Sequence, residues 1–588
     1  MRPVASVRSV SPKAWRLRFA FGVLGTLAAV VFARAFYLQV LDTEFLSTQG
    51  DKRFLRSVTL EANRGAIRDR RGEPLALSAP VDSVWADPQG LLSAPEYLPA
   101  LAKLLGWSAD GLRKFLDSHS DREFVYLNRQ IDPDVASRFL ALKAPGLSTR
   151  REYRRYYPAG EVAAHVVGFC NIDGQGQEGV EAAADKSLRG AEGSEKVIRD
   201  RAGRIVEDVS TRRDAAPGSD VVLTIDLRLQ YIAYRELKSA VQQHHATGGE
   251  IVVADPRTGE ILAMASQPGY NPNRDEDRDS AGLRNRVVTD HFEPGSTIKP
   301  LLISQAFELG AVSERTQIDT SPGTFKVGTL IVHDVHPLGQ VDLARLLAKS
   351  SNIGAAKVGL SMGAQSVYAG YRRFGIDEPV NVGLPGEVDS VLRPWTKWGE
   401  IGTATASYGY GISLNALQLL RAYSAIANGG LMPSLTILKN KPLIPPQRVI
   451  SQRSADEVRS LLEGVVSIDG TASRAAVNGY RVAGKTGTVR MTEGRHYADH
   501  EYRSLFVGML PASHPRLVAL IMIDHPTGID YYGGSVAGPV FASLMRDAAR
   551  LLQIPPDAPI VPIPPVPVPA QPVRPIRTAT AHRADPRA

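Results

Sequence analysis

The chain has 588 residues, of which 43% are hydrophobic and 22% charged, so it is long enough for more than one globular domain and too apolar to be disordered. Its net charge of +8 comes from 69 basic and 61 acidic residues that are interspersed along the chain. Because no basic stripe with interleaved aromatic residues is present, nucleic-acid binding is not expected. Cys170 is the single cysteine, which excludes an internal disulfide framework and a cysteine-based zinc site and suits a small packed side chain.

The first 41 residues have the pattern of a membrane anchor. Residues 1–18 are basic, and residues 19–41 are uncharged except for Arg34, whose long side chain can reach the membrane interface. About 20 apolar residues suffice for a transmembrane helix. Positive charge before the span predicts a cytoplasmic N-terminus and a single-pass protein of the inner membrane, with its main part outside the cytoplasm. A cleaved signal peptide is the alternative, because Ala33 and Ala35 flank Arg34 as in a cleavage site.

Residues 42–216 are predicted to form an α+β domain without catalytic residues. Residues 63–76 have the pattern of a strand, a tight turn and a second strand. Helical patterns alternate with polar breaks over residues 90–145. The glycine-rich residues 174–181 lack the strand–loop–helix frame of a phosphate site, so they are interpreted as a structural turn. Residues 214–219 have the composition of a linker to a second domain.

Residues 217–553 combine strand and helix patterns. The strand patterns are residues 221–225, a hairpin of 250–255 and 260–265, and a hairpin of 505–510 and 517–523. Helical patterns fill the region between the two hairpins, and residues 417–427 are the clearest of them. Hairpins at both ends with helices between them predict an α/β arrangement around an antiparallel sheet.

Three short motifs in this second region carry chemistry. Ser296 and Lys299 are three residues apart at the start of an apolar helix, so their side chains share one face. A serine hydroxyl needs a base, and a lysine is a base only when burial and neighbouring cations lower its pKa. Ser350 and Asn352 follow another apolar helix, and Lys485 opens a Lys-Thr-Gly-Thr run in a strand pattern. The three motifs in this order are the signature of penicillin-binding proteins and serine β-lactamases.

The C-terminal residues 554–588 are rich in proline. This composition predicts an extended polyproline or disordered segment. A passive tail is the favoured interpretation, and a recognition ligand for a partner is the alternative.

From the anchor to the start of this tail, the chain resembles a class B penicillin-binding protein. The class assignment rests on residues 64–72, which match a motif of that family's pedestal domain, and on residues 168–169 together with 176–181. No glycosyltransferase domain precedes the pedestal, so the bifunctional class A type does not fit. Residues 408–411 and 531–534 are similar to those of the division-specific members of the class.

The resemblance implies a transmembrane helix, an α+β pedestal of the dimerisation type and an α/β transpeptidase domain like serine DD-peptidases and β-lactamases. It also implies a septal peptidoglycan D,D-transpeptidase that acts in cell division and needs no metal or organic cofactor. Ser296 would attack the peptide bond between two D-alanines, and Lys299 would accept its proton. Ser350 would pass a proton to the leaving amine, Asn352 would bind the substrate amide and steady Lys299, and Lys485 would add positive charge.

The remaining roles that the resemblance implies concern substrate binding. Thr486, Gly487 and Thr488 would line the site of the substrate's terminal carboxylate, with the two threonine hydroxyls as its ligands. The backbone N–H groups of Ser296 and Thr488 would form the oxyanion hole. β-Lactams mimic the D-Ala-D-Ala amide and would therefore acylate Ser296.

The expected partners are peptidoglycan stem peptides, β-lactams, the inner membrane, a membrane glycan polymerase and other division proteins. An elongation-specific transpeptidase is the closest alternative. A β-lactamase would need a group that activates a deacylating water, and the sequence places none. A penicillin sensor usually has several membrane spans and a cytoplasmic module, and a division scaffold would use the pedestal with catalysis secondary.

Overall fold

The computed structural model describes residues 14–41, 55–199, 205–278, 280–440, 444–493, 496–528 and 530–561. Its first element is helix α1 (Ala14–Phe36), which a short π-helical stretch, Tyr37–Leu41, continues. This helix is long and apolar enough to cross a membrane, and no residue of it is buried by the rest of the described chain. It begins before the predicted segment 19–41. Most of the basic segment, residues 1–13, lies outside the described residues.

The pedestal contains two sheets and a set of short helices. Its strands are β1 (Leu55–Leu60), β2 (Ile67–Arg68), β3 (Pro74–Ala86), β4 (Val125–Ile131), β5 (Leu147–Tyr156), β6 (Gly193–Arg199), β7 (Ile205–Arg213) and β8 (Val221–Val222), and its helices are α2 (Pro88–Leu92), α3 (Leu98–Leu105), α4 (Ala109–Ser118), α5 (Pro133–Leu140), α6 (Ala164–Val167), α7 (Gly179–Ala183) and α8 (Asp185–Leu188). Strands β1, β6 and β7 form one sheet; β4, β3, β2 and β8 form the other, with β5 on β3. The predicted hairpin is confirmed as β2–β3, where Asp69 Oδ1 accepts hydrogen bonds from the turn's Arg71 N (2.7 Å) and Glu73 N (2.8 Å).

A buried ion cluster holds the glycine-rich loop against this second sheet. Arg64 Nε lies 2.7 Å from Glu181 Oε2, and Arg155 Nε lies 2.6 Å from Glu181 Oε1. A Cβ atom on Gly176 would lie 2.0 Å from the Glu181 carbonyl oxygen, so the close approach of two backbone segments requires glycine there. These contacts support the structural-turn interpretation of residues 174–181.

The second region is a five-stranded antiparallel sheet covered by helices. The strands are β9 (Gly248–Ala254), β10 (Ile261–Gln267), β11 (Gln317–Asp319), β12 (Thr324–Val327), β13 (Leu330–His333), β14 (Gln340–Asp342), β15 (Val391–Leu392), β16 (Ile412–Ser413), β17 (Leu431–Met432), β18 (Gln447–Arg448), β19 (Ala483–Glu493), β20 (His496–Leu510) and β21 (Leu517–Asp524). Besides the five-stranded main sheet, the described part of the region has four two-stranded sheets, β11–β14, β12–β13, β15–β16 and β17–β18. Its helices are α9 (Leu227–Gln243), α10 (Ser280–Leu283), α11 (Arg286–Thr289), α12 (Lys299–Glu308), α13 (Leu343–Ala348), α14 (Asn352–Met362), α15 (Ala364–Arg373), α16 (Gly399–Ser407), α17 (Ala416–Ala427), α18 (Gln452–Val466) and α19 (Gly533–Leu551).

The main sheet has the strand order β10-β9-β21-β20-β19. Helices α9 and α19 pack on each other and on the sheet, and α17 and α18 pack on each other and on strands of the same sheet. The two predicted hairpins are confirmed as β9–β10 and β20–β21, and the helix predicted at residues 417–427 is confirmed as α17. The predicted α/β arrangement around an antiparallel sheet is therefore correct.

Two expectations at the boundary between these regions differ from the structure. The strand predicted at residues 221–225 is only the two-residue β8, and it pairs in parallel with β2 of the pedestal. Leu223 and Ile225 are buried in the core that both regions share, so their apolar pattern reflects burial more than strand pairing. The predicted linker, residues 214–219, exchanges two backbone hydrogen bonds with Ala191 and is packed against the pedestal.

The start of the proline-rich tail is also packed. Ile554 is buried in the main core, and Asp557 Oδ2 accepts a hydrogen bond from Ser513 Oγ at 2.7 Å. An apolar anchor and a carboxylate among the prolines thus bind residues 554–561 to the domain, and the extended polyproline or disordered segment stays a prediction for the rest of the tail. Residues 562–588 lie outside the described residues.

Candidate active site

Ser296 lies on a tight turn that leads into α12. Gly295 opens this turn with φ +51°, and Pro300 follows in the first turn of the helix, as predicted. A Cβ atom on Gly295 would lie 2.6 Å from Val489 Cγ2 on β19. The absence of a side chain at Gly295 therefore lets the serine turn pack directly against the strand that carries the third motif.

The Lys299 side chain is fully buried, and its amine faces the other two groups of the predicted machinery. Lys299 Nζ lies 3.0 Å from Ser296 Oγ and 2.8 Å from Asn352 Oδ1. It also lies 2.7 Å from the Ser350 carbonyl oxygen and 3.2 Å from Ser350 Oγ. The structure thus brings the first two motifs into direct contact, with the lysine amine between them.

Burial lowers the pKa of Lys299 well below its ordinary value, and the nearby cationic Lys485 lowers it further, while the Asp334 carboxylate acts in the opposite direction. Burial also lowers the pKa of Lys485, to about 7. A neutral Lys299 amine 3.0 Å from Ser296 Oγ has the geometry of a general base for a serine nucleophile.

Asp334, which the sequence reasoning missed, fixes the second motif. Ser350 has φ +58°, a left-handed conformation that is strained for serine, immediately before α14. Asp334 Oδ1 accepts hydrogen bonds from Asn352 N (2.6 Å) and Ile353 N (3.0 Å), and its Oδ2 accepts one from Ser351 Oγ (2.6 Å). The residue that caps a helix N-terminus usually lies next to the helix in the sequence, where it can be recognised. Asp334 lies 18 positions before Asn352, so the sequence around the helix gives no sign of it.

The third motif lies on β19, as predicted. Lys485 is fully buried, with Nζ 3.2 Å from the Thr486 carbonyl oxygen and 3.3 Å from Thr486 Oγ1. Thr486 is 7% exposed, and Thr488 is half-buried. A Cβ atom on Gly487 would lie 3.0 Å from Thr297 Cγ2, so this glycine lets β19 approach the serine turn closely.

The predicted site residues therefore fall into two groups. Ser296, Lys299, Ser350 and Asn352 are in direct hydrogen-bonding contact. Lys485 and the residues that follow it on β19 flank this group, and the charge of Lys485 acts on Lys299. The oxyanion hole of backbone N–H groups, the binding of a terminal carboxylate and the separate roles of the side chains stay predictions.

His165 and Cys170, both in the pedestal, are packed groups. His165 Nε2 lies 2.8 Å from the Gly282 carbonyl oxygen, and burial lowers its pKa to about 4. Cys170 is buried, and burial beside Glu181 raises the pKa of its thiol to about 12. Among the residues that the structure describes, no group of three or more His, Cys, Asp or Glu residues is arranged to hold a metal ion.

Two known protein families match this chain. The model of the penicillin-binding protein transpeptidase domain matches residues 249–546, and that of the penicillin-binding protein dimerisation domain matches residues 59–223. A transpeptidase domain built on an antiparallel sheet, behind a dimerisation domain, thus defines the class of protein. The chain belongs to the penicillin-binding protein transpeptidase family.

Individual relatives cover nearly the whole chain. It is 41% identical over 551 residues to the probable peptidoglycan D,D-transpeptidase PenA of Neisseria meningitidis, covering 93% of this chain and 94% of PenA. It is 39% identical over 551 residues to the peptidoglycan D,D-transpeptidase FtsI of Escherichia coli K12, covering 92% and 93%. The crystal structure of penicillin-binding protein 3 from Mycobacterium tuberculosis, complexed with aztreonam, is similar with a TM-score of 0.68 and 28% identity, covering 86% and 99%.

Proposed function

We propose that this protein is a peptidoglycan D,D-transpeptidase that cross-links stem peptides of the septal cell wall and is acylated by β-lactams. The observation that carries the proposal is the fully buried Lys299 amine, 3.0 Å from Ser296 Oγ and bounded by Ser350 and Asn352. The relatives PenA and FtsI, which are 41% and 39% identical to this chain, are named as a probable peptidoglycan D,D-transpeptidase and as a peptidoglycan D,D-transpeptidase, which agrees with this activity.

The first half-reaction forms an acyl-enzyme. Ser296 Oγ attacks the carbonyl carbon between the two terminal D-alanines, and its proton moves to the neutral amine of Lys299. The C–N bond then breaks, and the terminal D-alanine leaves as an amine that receives the proton through the Ser350 hydroxyl. Backbone N–H groups of Ser296 and Thr488 stabilise the oxyanion that develops on the carbonyl oxygen.

The second half-reaction transfers the acyl group. The side-chain amine of a neighbouring stem peptide, meso-diaminopimelate in the resemblance, attacks the ester carbon of the acyl-enzyme. Its proton passes to the site's base, the ester C–O bond breaks, and Ser296 is restored. Asn352 holds the substrate amide and Lys299 in both half-reactions, whereas the threonines after Lys485 bind the donor's terminal carboxylate only until the terminal D-alanine leaves.

The location and biological role rest on separate observations. The basic N-terminus followed by helix α1 supports a single-pass protein of the inner membrane, with the N-terminus in the cytoplasm and the catalytic domain in the periplasm. Similarity to FtsI over 92% of the chain supports a role in division. A membrane glycan polymerase and other division proteins are then the partners of the anchor and the pedestal.

Intact-mass measurement with benzylpenicillin tests the proposal. The protein should gain one drug mass that persists for many minutes, and Ser296→Ala should gain none. A folded parent without an adduct would leave a division scaffold as the better interpretation, and a transient adduct with drug hydrolysis would favour a β-lactamase. Transfer of a D-Ala-D-Ala stem to an acceptor amine would separate the enzyme from a penicillin sensor. In cells, loss of the protein should give filaments if it serves division and rounded cells if it serves elongation.

A further inference from the structure

Lys349 lies between α13 and the second motif, immediately before Ser350, and has no role in the site described above. Its N–H donates to the Arg345 carbonyl oxygen at 2.9 Å, so its backbone completes the last turn of α13. Ser350 then takes φ +58°, and its carbonyl oxygen accepts a hydrogen bond from Lys299 Nζ at 2.7 Å. The change from helical to left-handed backbone at this point therefore decides where the carbonyl and the hydroxyl of Ser350 lie.

The Lys349 side chain binds the loop between α18 and β19, residues 467–472. Its Nζ donates a hydrogen bond to the Asp469 carbonyl oxygen at 2.6 Å. A second contact lies beside it, where Thr471 N donates to the Ala348 carbonyl oxygen at 3.1 Å. A hydrogen bond from an ammonium group is stronger than one between neutral groups, so Lys349 makes the firmer of the two contacts. The end of α13 is thus attached to this loop by one charged side chain and one backbone hydrogen bond.

The loop is itself fixed on the domain. Ala472 is buried, and its N–H donates to the Val465 carbonyl oxygen at 2.9 Å. A Cβ atom on Gly470 would lie 2.1 Å from the same oxygen, so the loop folds closely onto the end of α18. The ammonium group of Lys349 therefore binds a backbone segment that the rest of the domain holds in place.

Ser350 needs support on both sides, because a left-handed conformation is strained for a residue with a side chain. Asp334 holds the residues after it, through Ser351 Oγ and the first N–H groups of α14. Lys349 is the residue before it, and its hydrogen bond fixes the chain where it enters the strained position. The two side chains thus act on opposite sides of Ser350.

We infer that Lys349 is a positioning residue for acyl transfer: by binding the Asp469 carbonyl oxygen, it holds the Ser350 hydroxyl where that group delivers a proton to the leaving amine. This role rests on the proposed function and adds one residue to it. Lys349 acts through Ser350 and needs no contact with the substrate. Its removal should therefore matter most for donors whose leaving group must receive a proton.

Acylation by benzylpenicillin and by a thioester analogue of the D-Ala-D-Ala donor tests this role. The opened β-lactam has an amine that must be protonated, whereas the thioester releases a thiolate, which leaves without a proton. Lys349→Met should lower the acylation rate constant for benzylpenicillin about tenfold to 100-fold, since a displacement near 1 Å of a reacting group costs about 100-fold. The rate constant for the thioester should stay close to that of the parent. Lys349→Arg keeps a charged donor and should restore the ratio of the two. Intact mass follows the first reaction and thiol release the second.

Lys357→Met is the matched control. Lys357 Nζ also donates to a backbone carbonyl oxygen, that of Asp319 at 2.5 Å, but this lysine lies on α14, beyond the second motif. Both of its rate constants should equal those of the parent. The pH dependence gives a further readout, because the charges that act on the pKa of Lys299 are those of Lys485 and Asp334. The pH midpoint of acylation should therefore be the same in Lys349→Met as in the parent.

Equal losses for the two donors in Lys349→Met would show a structural role and would overturn the inference, as would an unchanged ratio or a shifted pH midpoint. If the melting temperature shows that the methionine variant is misfolded, Lys349→Gln gives the same comparison. No benzylpenicillin adduct on the parent would instead overturn the proposed function. An adduct on the parent together with an unchanged ratio in the variant would overturn the role of Lys349 alone.

Discussion

A lysine amine without water around it is held neutral unless a nearby negative charge compensates for the lost hydration. Lys299 contacts hydroxyl, amide and carbonyl oxygens, and the carboxylate that acts on it, Asp334, is itself bonded to Ser351 and to the backbone of α14. Lys485 adds a positive charge on the other side. The site therefore prepares Lys299 as a proton acceptor before any substrate arrives.

The acylation rate should follow the neutral fraction of Lys299. That fraction increases with pH through the lowered pKa, so the rate should increase with pH and then level off, with a midpoint well below the ordinary pKa of a lysine. Lys485→Gln removes a cation that lowers the pKa of Lys299, so its midpoint should move to higher pH. Asp334→Asn removes a charge that raises this pKa, so its midpoint should move to lower pH. Benzylpenicillin reactions are stopped at set times over a series of pH values, and the acylated fraction is read from the intact mass. The rates give the pH midpoints of the parent and of both variants.

Opposite shifts of the two pH midpoints would show that the variants change the pKa of Lys299, because general damage to the site would not move the midpoints in opposite directions. Both variants are expected to react more slowly, because Lys485 flanks the group of Ser296 and Lys299 and Asp334 orients Asn352. Two midpoints that move in the same direction, or that stay with the parent, would contradict the assignment of Lys299 as the base.

The serine turn is also positioned by neighbouring elements. Gly409, with φ +91°, follows α16, and its carbonyl oxygen accepts a hydrogen bond from Gly295 N at 3.1 Å. A Cβ atom on Gly409 would lie 2.0 Å from the Gly295 carbonyl oxygen. The segment after α16 therefore acts as a support on which the nucleophile's turn rests.

Gly409→Ala should move the Ser296 turn and lower the acylation rate by about 100-fold, the cost of a displacement near 1 Å at a reacting group. Gly411→Ala is the matched control, since Gly411 also has a positive φ, +77°, but has no atom within 4 Å of an added Cβ. Both variants share the backbone strain, and only Gly409→Ala adds the collision. Similar acylation rates for the two variants, measured by the same mass assay, would show that the support does not control the nucleophile.

The packed start of the tail also supports an element of the site. Asp557 Oδ1 accepts a hydrogen bond from Arg481 N at 2.7 Å, two residues before β19 begins, and Ile554 is buried. Removal of residues 554–588 should lower the free energy of unfolding by about 3 kcal/mol, from one buried isoleucine and the hydrogen bonds of a carboxylate. Removal of residues 562–588 alone should leave it unchanged. Denaturant titration of both truncated proteins compares them, and equal midpoints would assign no stabilising role to residues 554–561.

The sequence predicted the elements whose signal is local. The strands of hairpins β9–β10 and β20–β21 are rich in apolar residues, so the hairpins could be predicted from that pattern. The three motifs lie near the starts or ends of helix and strand patterns, so their positions in the fold could be predicted as well. Asp334 and Asp557 were not found, because each acts on residues far from it along the chain. The burial of Ile554 was not predicted, because the prolines that follow it give the segment the composition of an extended or disordered tail. Contacts of this kind join residues that are distant along the chain and become neighbours only in the folded protein, so a single sequence does not reveal them.

At the scale of the whole molecule, the pedestal and the catalytic domain share structure. Strand β8 completes a pedestal sheet immediately before α9 begins the catalytic domain. Asp69, in the pedestal hairpin, is 1% exposed and accepts a hydrogen bond from Leu227 N, the first residue of α9, at 3.1 Å. Arg70 of the same turn donates to Ile225 O at 2.9 Å and pairs with Glu260 at 3.2 Å. The two regions should therefore unfold together.

Asp69→Ala should uncouple them. The substitution leaves the N–H groups of Arg71, Glu73 and Leu227 without their buried carboxylate, a loss of about 3 kcal/mol at a turn that touches both regions. Differential scanning calorimetry should show one transition for the parent and two for the variant. Benzylpenicillin, which reacts in the catalytic domain, should then shift only one of the two. Arg70→Ala is the milder control, because that side chain is 28% exposed and partly screened by water. If Asp69→Ala still melts in a single transition, contacts elsewhere hold the pedestal and the catalytic domain together. If the parent already melts in two transitions, the shared turn does not couple them.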